Sequence, residues 1–362
     1  MRIAIVHDYL NQYGGAERVL EVLLETFPEA RVYTLFHDLE QTHRRFDSFV
    51  EKTSFLDKKI VWRNHRIFIP LMPTAASFLK LSDGYDVILS ATAGFAKGIS
   101  HTSQIPHLSY CYTPLRYAWE FPNYFSHWPG FMKILASPAF AYLRWWDYRA
   151  GQRPQQIIAI SHFIAEKIKK YYGREADVLY PPVDLEIFYP DKNASRDGYF
   201  LAVGRFLRYK RFDLIIEAFN QLHLPLIVVG VGPEQERLKA MAHSSKIQFV
   251  PFVNENELRL LYSGAEALIF PQVEDFGLVA AEAQACGTPV IAYAGGGARE
   301  IVQEGKTGIF FAHQTVPDLV FAVKKFLLTT FSSSVIQRSA QRFSKTRFKK
   351  QIKTIVKNAQ IQ

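Results

Sequence analysis

Four ionisable residues in the C-terminal half have the types and spacing to hold one ligand. Arg205 and Lys210 stand five apart in VGRFLRYKR, and Glu274 and Glu282 stand eight apart in the segment PQVEDFGLVAAEAQACGTPVIA, residues 271–292. An arginine and a lysine delivered into one mouth neutralise a diphosphate. Carboxylates accept hydrogen bonds from hydroxyls, and the open N–H groups of a helix start at Gly277, Leu278 and Val279 suit a phosphate. A ligand with hydroxyls at both ends and phosphate between them is a nucleotide-sugar. The plainer alternative is a carboxylate complementing a helix dipole, a solvated helix glutamate and a basic loop.

These residues need a scaffold that brings strand ends together. The apolar run 267–270 ends at Pro271, a small-residue helix follows, Gly287 and Pro289 stop it, and 290–292 restarts a strand. That is a βαβ unit of a parallel sheet, whose ligands bind beyond the strand C-termini. Glu274 then lies in the mouth, with Glu282 about one and a half turns into the helix. Further strands are expected at 199–203, 226–229 and 247–250, with a helix at 212–221. The glycines of GVGPE, Gly230 and Gly232, would let a ligand approach.

The N-terminal half repeats the pattern. A strand at 3–6 leads through His7, Asp8 and a polar bend to Gly14 and Gly15, then to a helix at 16–27. Strand, glycine pair and helix make a phosphate-loop arrangement or simply a turn. Strands are expected at 32–36, 87–90, 107–112 and 157–160, with Ser161 capping a helix at 163–172. The small-residue loop 91–99, with Lys97, offers an acceptor approach. TPLRYAWEFPNYFSHWPG is dense in aromatics (Tyr117, Trp119, Phe121, Tyr124, Phe125, Trp128), which suits either sugar stacking or core packing. Arg116 is the cation there best placed for an acceptor phosphate.

The Glu274–Glu282 unit, with FG at the turn and EAQACGTPV after it, resembles the retaining glycosyltransferases of family 4, the glycogen-synthase-like group of GT-B fold. The resemblance implies an α/β protein of two Rossmann-like, doubly wound domains facing across a cleft. It implies that Glu274 contacts the donor sugar, Glu282 the ribose, Arg205 and Lys210 the pyrophosphate, and that the glycine loop at Gly14 and Gly15 closes over the phosphate. The backbone of Phe252 and Val253 is where the family pins the base. Relatives usually carry CHTP, with a histidine facing the sugar, where this chain has Cys111, Tyr112, Thr113 and Pro114. His7 and His101 are the candidates to compensate. HDYLNQYGGAERV and CYTPLRYAWE look most like bacterial mannosyltransferases of O-antigen and exopolysaccharide synthesis. A hexose from GDP-mannose, a UDP-sugar as runner-up, and a glycan or polyprenyl-diphosphate-linked acceptor follow. A GT-B nucleotide-sugar epimerase is the alternative.

Length and composition agree with two domains: 362 residues, 48% hydrophobic. The expected division is 1–188 and 196–339, with a linker near 185–196 and residues from about 340 returning to the first domain. Two cysteines offer no disulfide framework and point to a reducing cytoplasm. No D-x-D motif is present, so no metal and no cofactor are expected. The formal charge of +9 is a C-terminal feature, with ten Lys or Arg and no acid after Asp318. A solvated basic helix or attraction to an anionic membrane surface accounts for it. The segment around Lys58, Lys59, Trp62, Arg63, Arg66 and Phe68 has the same two readings. Aromatics are not interleaved with the basic tail, so nucleic acid is not an expected partner.

Overall fold

The computed structural model describes residues 1–102, 104–120, 130–191 and 197–361, with residue 361 as backbone only. Two compact units are present, Met1–Tyr180 with Phe348–Gln362, and Pro181–Arg347.

The first unit holds a seven-stranded sheet: β1 (Ile3–His7), β2 (Arg31–Thr34), β3 (Val50–Thr53), β4 (Val87–Thr92), β5 (His107–Cys111), β6 (Gln156–Ala159) and β7 (Asp177–Val178). Their order is β3-β2-β1-β4-β5-β6-β7 and the pairings are parallel. The central strands β1, β4 and β5 are buried at every residue, hence on both faces, whereas the edge strands β3 and β7 are partly exposed. Ala4, Val6, Ile88 and Ile99 share one core cluster, while Phe36, Met72, Phe140 and Trp146 belong to another.

The second unit holds six parallel strands: β8 (Tyr199–Val203), β9 (Leu226–Val229), β10 (Ile247–Val250), β11 (Ala265–Phe270), β12 (Val290–Tyr293) and β13 (Gly308–Phe311). The order β10-β9-β8-β11-β12-β13 is the doubly wound arrangement, reversing between β8 and β11. Phe200, Phe219, Val228 and Phe326 sit in its core. Both units are thus Rossmann-like α/β sheets.

The division falls earlier than the segment read as linker. Leu179 N–H still bonds Ala159 O at 3.0 Å, whereas Val183 pairs with the end of the second unit through Phe343 O at 2.8 Å and Lys345 N–H at 3.0 Å. Lys345 also meets Asp184 at 3.0 Å. Five residues of the 185–196 stretch, 192–196, lie outside the described residues. The return to the first unit begins at Phe348 rather than near 340, because Arg342 is held by Glu300 O and Ile301 O. From there the basic helix Lys345–Ile361 buries Phe348, Ile352, Val356 and Ala359 along one stripe, and Lys349 reaches Glu25 at 2.6 Å. Ser161 caps the helix His162–Tyr172 by accepting from Ile164 N–H at 3.1 Å, as its position predicts.

Candidate active site

Parallel α/β sheets bind ligands where neighbouring connections leave the sheet in opposite directions. In the second unit that point is between β8 and β11, and the residues following those two strands are Gly204–Arg211 and Pro271–Gly277. Lys210 ends the short 3-10 turn Arg208–Lys210, and its Nζ donates to the Glu274 carboxylate. Both side chains are mostly buried, 14% and 19% exposed, so the pair is screened far less than a surface ion pair. Arg205 stands exposed two residues beyond β8.

The Glu274 turn is backed by a second loop. Gly297 N–H bonds Glu274 O at 2.8 Å, and a Cβ on Gly297 would lie 2.3 Å from Phe276 O. Glycine there lets the 295–297 segment press against the backbone that carries Glu274. Gly232 has an analogous reason: a Cβ would lie 2.6 Å from the backbone of Phe206. The GVGPE glycines therefore admit the Gly204–Phe206 backbone, a reason for glycine that the sequence did not suggest.

Gly277 precedes the helix Leu278–Ala285, and its carbonyl accepts from Ala280 and Ala281, so Leu278 and Val279 head the first turn. Glu282 lies on this helix at 1% exposure, with Tyr262 Oη donating to it at 3.4 Å. The two glutamates are therefore in different surroundings, Glu274 at the mouth and Glu282 within the helix packing. Phe252 and Val253 follow edge strand β10, with Phe252 83% exposed.

The first unit has its own reversal, between β1 and β4. Asp8, next after β1, accepts from Thr92 Oγ1 at 2.8 Å and from the N–H groups of Ala93, Phe95 and Ala96 at 2.6–2.7 Å. This buried carboxylate fixes the loop after β4. Its place in HDYL, directly after a strand, was the available signal for it. Gly14 precedes the helix Gly15–Thr26, and its N–H donates to Glu17 Oε2 at 2.8 Å, the glutamate half of a capping box, glycine having no side chain to supply the other. Tyr112, just past β5, is 8% exposed and donates its phenol to Ala16 O at 3.2 Å. Arg116 is half-buried in the short helix Arg116–Trp119.

Two acceptor-side candidates are placed elsewhere. Lys97 is 1% exposed and ion-paired with Asp147 at 2.6 Å, because the turn Ala96–Gly98 packs beneath the helix Gly130–Gly151. His101 packs edge-on against His107, the first residue of β5, with ring centroids 5.0 Å apart. A parallel crossover must return to the amino end of the next strand, so residue 101 is carried away from the carboxyl ends. Tyr117 and Trp119 join the core around Phe140 and Trp146, while Phe121, Tyr124, Phe125 and Trp128 lie outside the described residues. Among the described residues no cluster of His, Cys, Asp and Glu has metal-binding geometry.

The comparisons agree with this architecture. Residues 13–187 match the family model Glycosyltransferase Family 4, and residues 186–347 match Glycosyl transferases group 1. D-inositol 3-phosphate glycosyltransferases of Mycobacterium tuberculosis and Mycobacterium bovis are 32% identical over 192 residues, 47% of this chain and 40% of the relative. The chain therefore aligns with less than half the length of those curated relatives. Anabaena HepE in complex with UDP has a TM-score of 0.75 at 18% identity, covering 99% of this chain and 100% of that one. The lipopolysaccharide outer core galactosyltransferase WaaB has 0.69 at 16%, covering 99% of each. At such identities the likeness is one of fold. With two glycosyltransferase models matched in tandem on two Rossmann-like units, the chain belongs to the family 4 glycosyltransferases of GT-B fold.

Proposed function

We propose that this protein transfers a hexose from a nucleotide-sugar to a glycan or a polyprenyl-diphosphate-linked acceptor, with retention of configuration and without a metal ion. The observation that carries the reading is the meeting of Lys210 with Glu274 at the β8/β11 reversal. Lys210 and Arg205 stabilise the departing diphosphate, work that a divalent ion does elsewhere. Glu274 orients the sugar and complements its developing charge. The first-turn N–H groups of Leu278 and Val279 serve the phosphates, and the Gly15 N–H serves the same chemistry in the first unit. The leaving phosphate oxygen accepts the acceptor's proton, so no second carboxylate acts as base.

Glu282 takes the ribose, and this role requires its carboxylate to turn from Tyr262 when nucleotide binds. GDP-mannose is the proposed donor. A UDP-sugar is the second reading, favoured by the crystal structure of HepE with UDP-glucose.

The first unit works against an anionic membrane surface at the cytoplasmic face. Ile134 and Leu135 of the helix Gly130–Gly151 are each 75% exposed, and Ile60 and Ile67 are 63% and 75% exposed. Both stretches pack on one core cluster through Val61, Ile69, Phe140 and Leu143. Residues 58–80 carry Lys58, Lys59, Arg63, Arg66 and Lys80 with no acid. Exposed apolar residues with cations in the same stretch suit a bilayer interface. No helix among the described residues is long and apolar enough to cross a membrane.

Thermal-shift measurements with GDP-mannose and UDP-glucose, followed by product analysis with and without a lipid-linked acceptor, test the reading. Donor stabilisation and an acceptor-dependent product of retained anomeric configuration are expected. Turnover that needs no acceptor would indicate an epimerase instead.

A further inference from the structure

Tyr112 occupies the position where the resembled family carries a sugar-facing histidine, and its contacts assign it other work. Its N–H is tied to Thr92 O at 2.7 Å, which anchors the residue to the end of β4. Its phenol donates to Ala16 O, one residue after Gly15. The same helix start is held from a second direction. Glu17, 2% exposed, takes the Gly14 N–H on one carboxylate oxygen and faces His7 Nε2 at 3.7 Å with the other. The His7 ring in turn packs edge-on against Tyr112, with centroids 6.4 Å apart. Three side chains from the ends of β1 and β5 and from the helix itself thus converge on one turn. Burial, reinforced by Tyr110, Glu17 and Asp8, raises the Tyr112 phenol well above its ordinary range, so it remains a hydrogen-bond donor.

We propose that Tyr112, with Glu17 and His7, is a positioning residue that holds the Gly14–Gly15 turn in its phosphate-receiving shape. The inference rests on the reading of that turn as a phosphate loop. This chain uses the position for the loop's geometry, and sugar recognition falls to other residues.

The test is Tyr112→Phe, which removes the hydroxyl and keeps the ring. One lost hydrogen bond predicts amide exchange about 3- to 10-fold faster over residues 15–20, with the strands unchanged. Unaltered exchange overturns the proposal whether or not any nucleotide binds, so its failure is separate from failure of the transferase reading. In the same variant, affinity for a sugar-free nucleoside diphosphate (GDP or UDP) and for its nucleotide-sugar should fall by one common factor. KM should rise while kcat stays within about twofold. Loss confined to the nucleotide-sugar would mean that Tyr112 touches the sugar, and that overturns the positioning role. Tyr112→His, whose ring is too short to reach Ala16 O, should loosen the turn as Tyr112→Phe does.

Discussion

Acid should weaken the first unit through one buried imidazole. His107 opens β5 with 0% exposure, its Nε2 3.0 Å from Ser90 Oγ. Burial first, then His101 and Arg153, lowers its pKa to about 3 from 6.5. The folded protein therefore keeps His107 neutral while the unfolded chain takes up a proton below about pH 6.5. Stability from this residue is complete above that value and falls as pH drops toward 3. One pKa unit corresponds to about 1.4 kcal/mol, so going from pH 6.5 to 5.0 costs about 2 kcal/mol. For a unit of this size that is about 4–8 °C of melting temperature. His107→Gln keeps a polar group near Ser90 and cannot be charged. Melting curves of both proteins between pH 7.5 and 5.0 should show the wild type losing that much more than the variant. Parallel pH profiles would refute the argument, because acid loss would then come from groups that both proteins share.

Other outcomes follow from the contacts. Lys210→Ala should lower turnover by about 10²- to 10³-fold while the protein remains folded, checked by steady-state kinetics beside thermal denaturation. Lys97→Met leaves Asp147 as an uncompensated buried charge and should destabilise by about 3–5 kcal/mol in urea unfolding, which marks Lys97 as structural and not as an acceptor ligand. Ile134→Glu with Leu135→Glu should reduce co-sedimentation with anionic vesicles at least severalfold while leaving binding of nucleotide-sugar intact. Equal sedimentation of both proteins would remove the membrane reading.

Much was legible along the chain because the relevant physics is local. Strand, glycine and helix follow one another in sequence, so β1 with Gly14 and β11 with Glu274 could be read as loop-bearing βα units. Arg205 and Lys210 are five residues apart on the connection that follows one strand, and Glu274 follows another. Their types and offsets are what raised the expectation of a diphosphate. The ten strands foreseen in the first and second sheets were bounded by glycine, proline or polar residues. β3, which reads VEKT, has no apolar run, and β13, which reads GIFF, was not among the strands foreseen.

What depends on chain crossings was decided only by the tertiary structure. Spacing along the sequence does not say that residue 101 has returned to the amino end of β5, or that Lys97 meets an aspartate fifty residues later. Nor does it say that a tyrosine in place of histidine reaches back ninety-six residues to Ala16, or that the GVGPE glycines make room for backbone. Residue types and local order set which chemistry is present. Which groups of that chemistry face one another is fixed by the sheet order and by which side chains the core swallows, since burial and pairing are properties of the assembled chain and not of any segment of it.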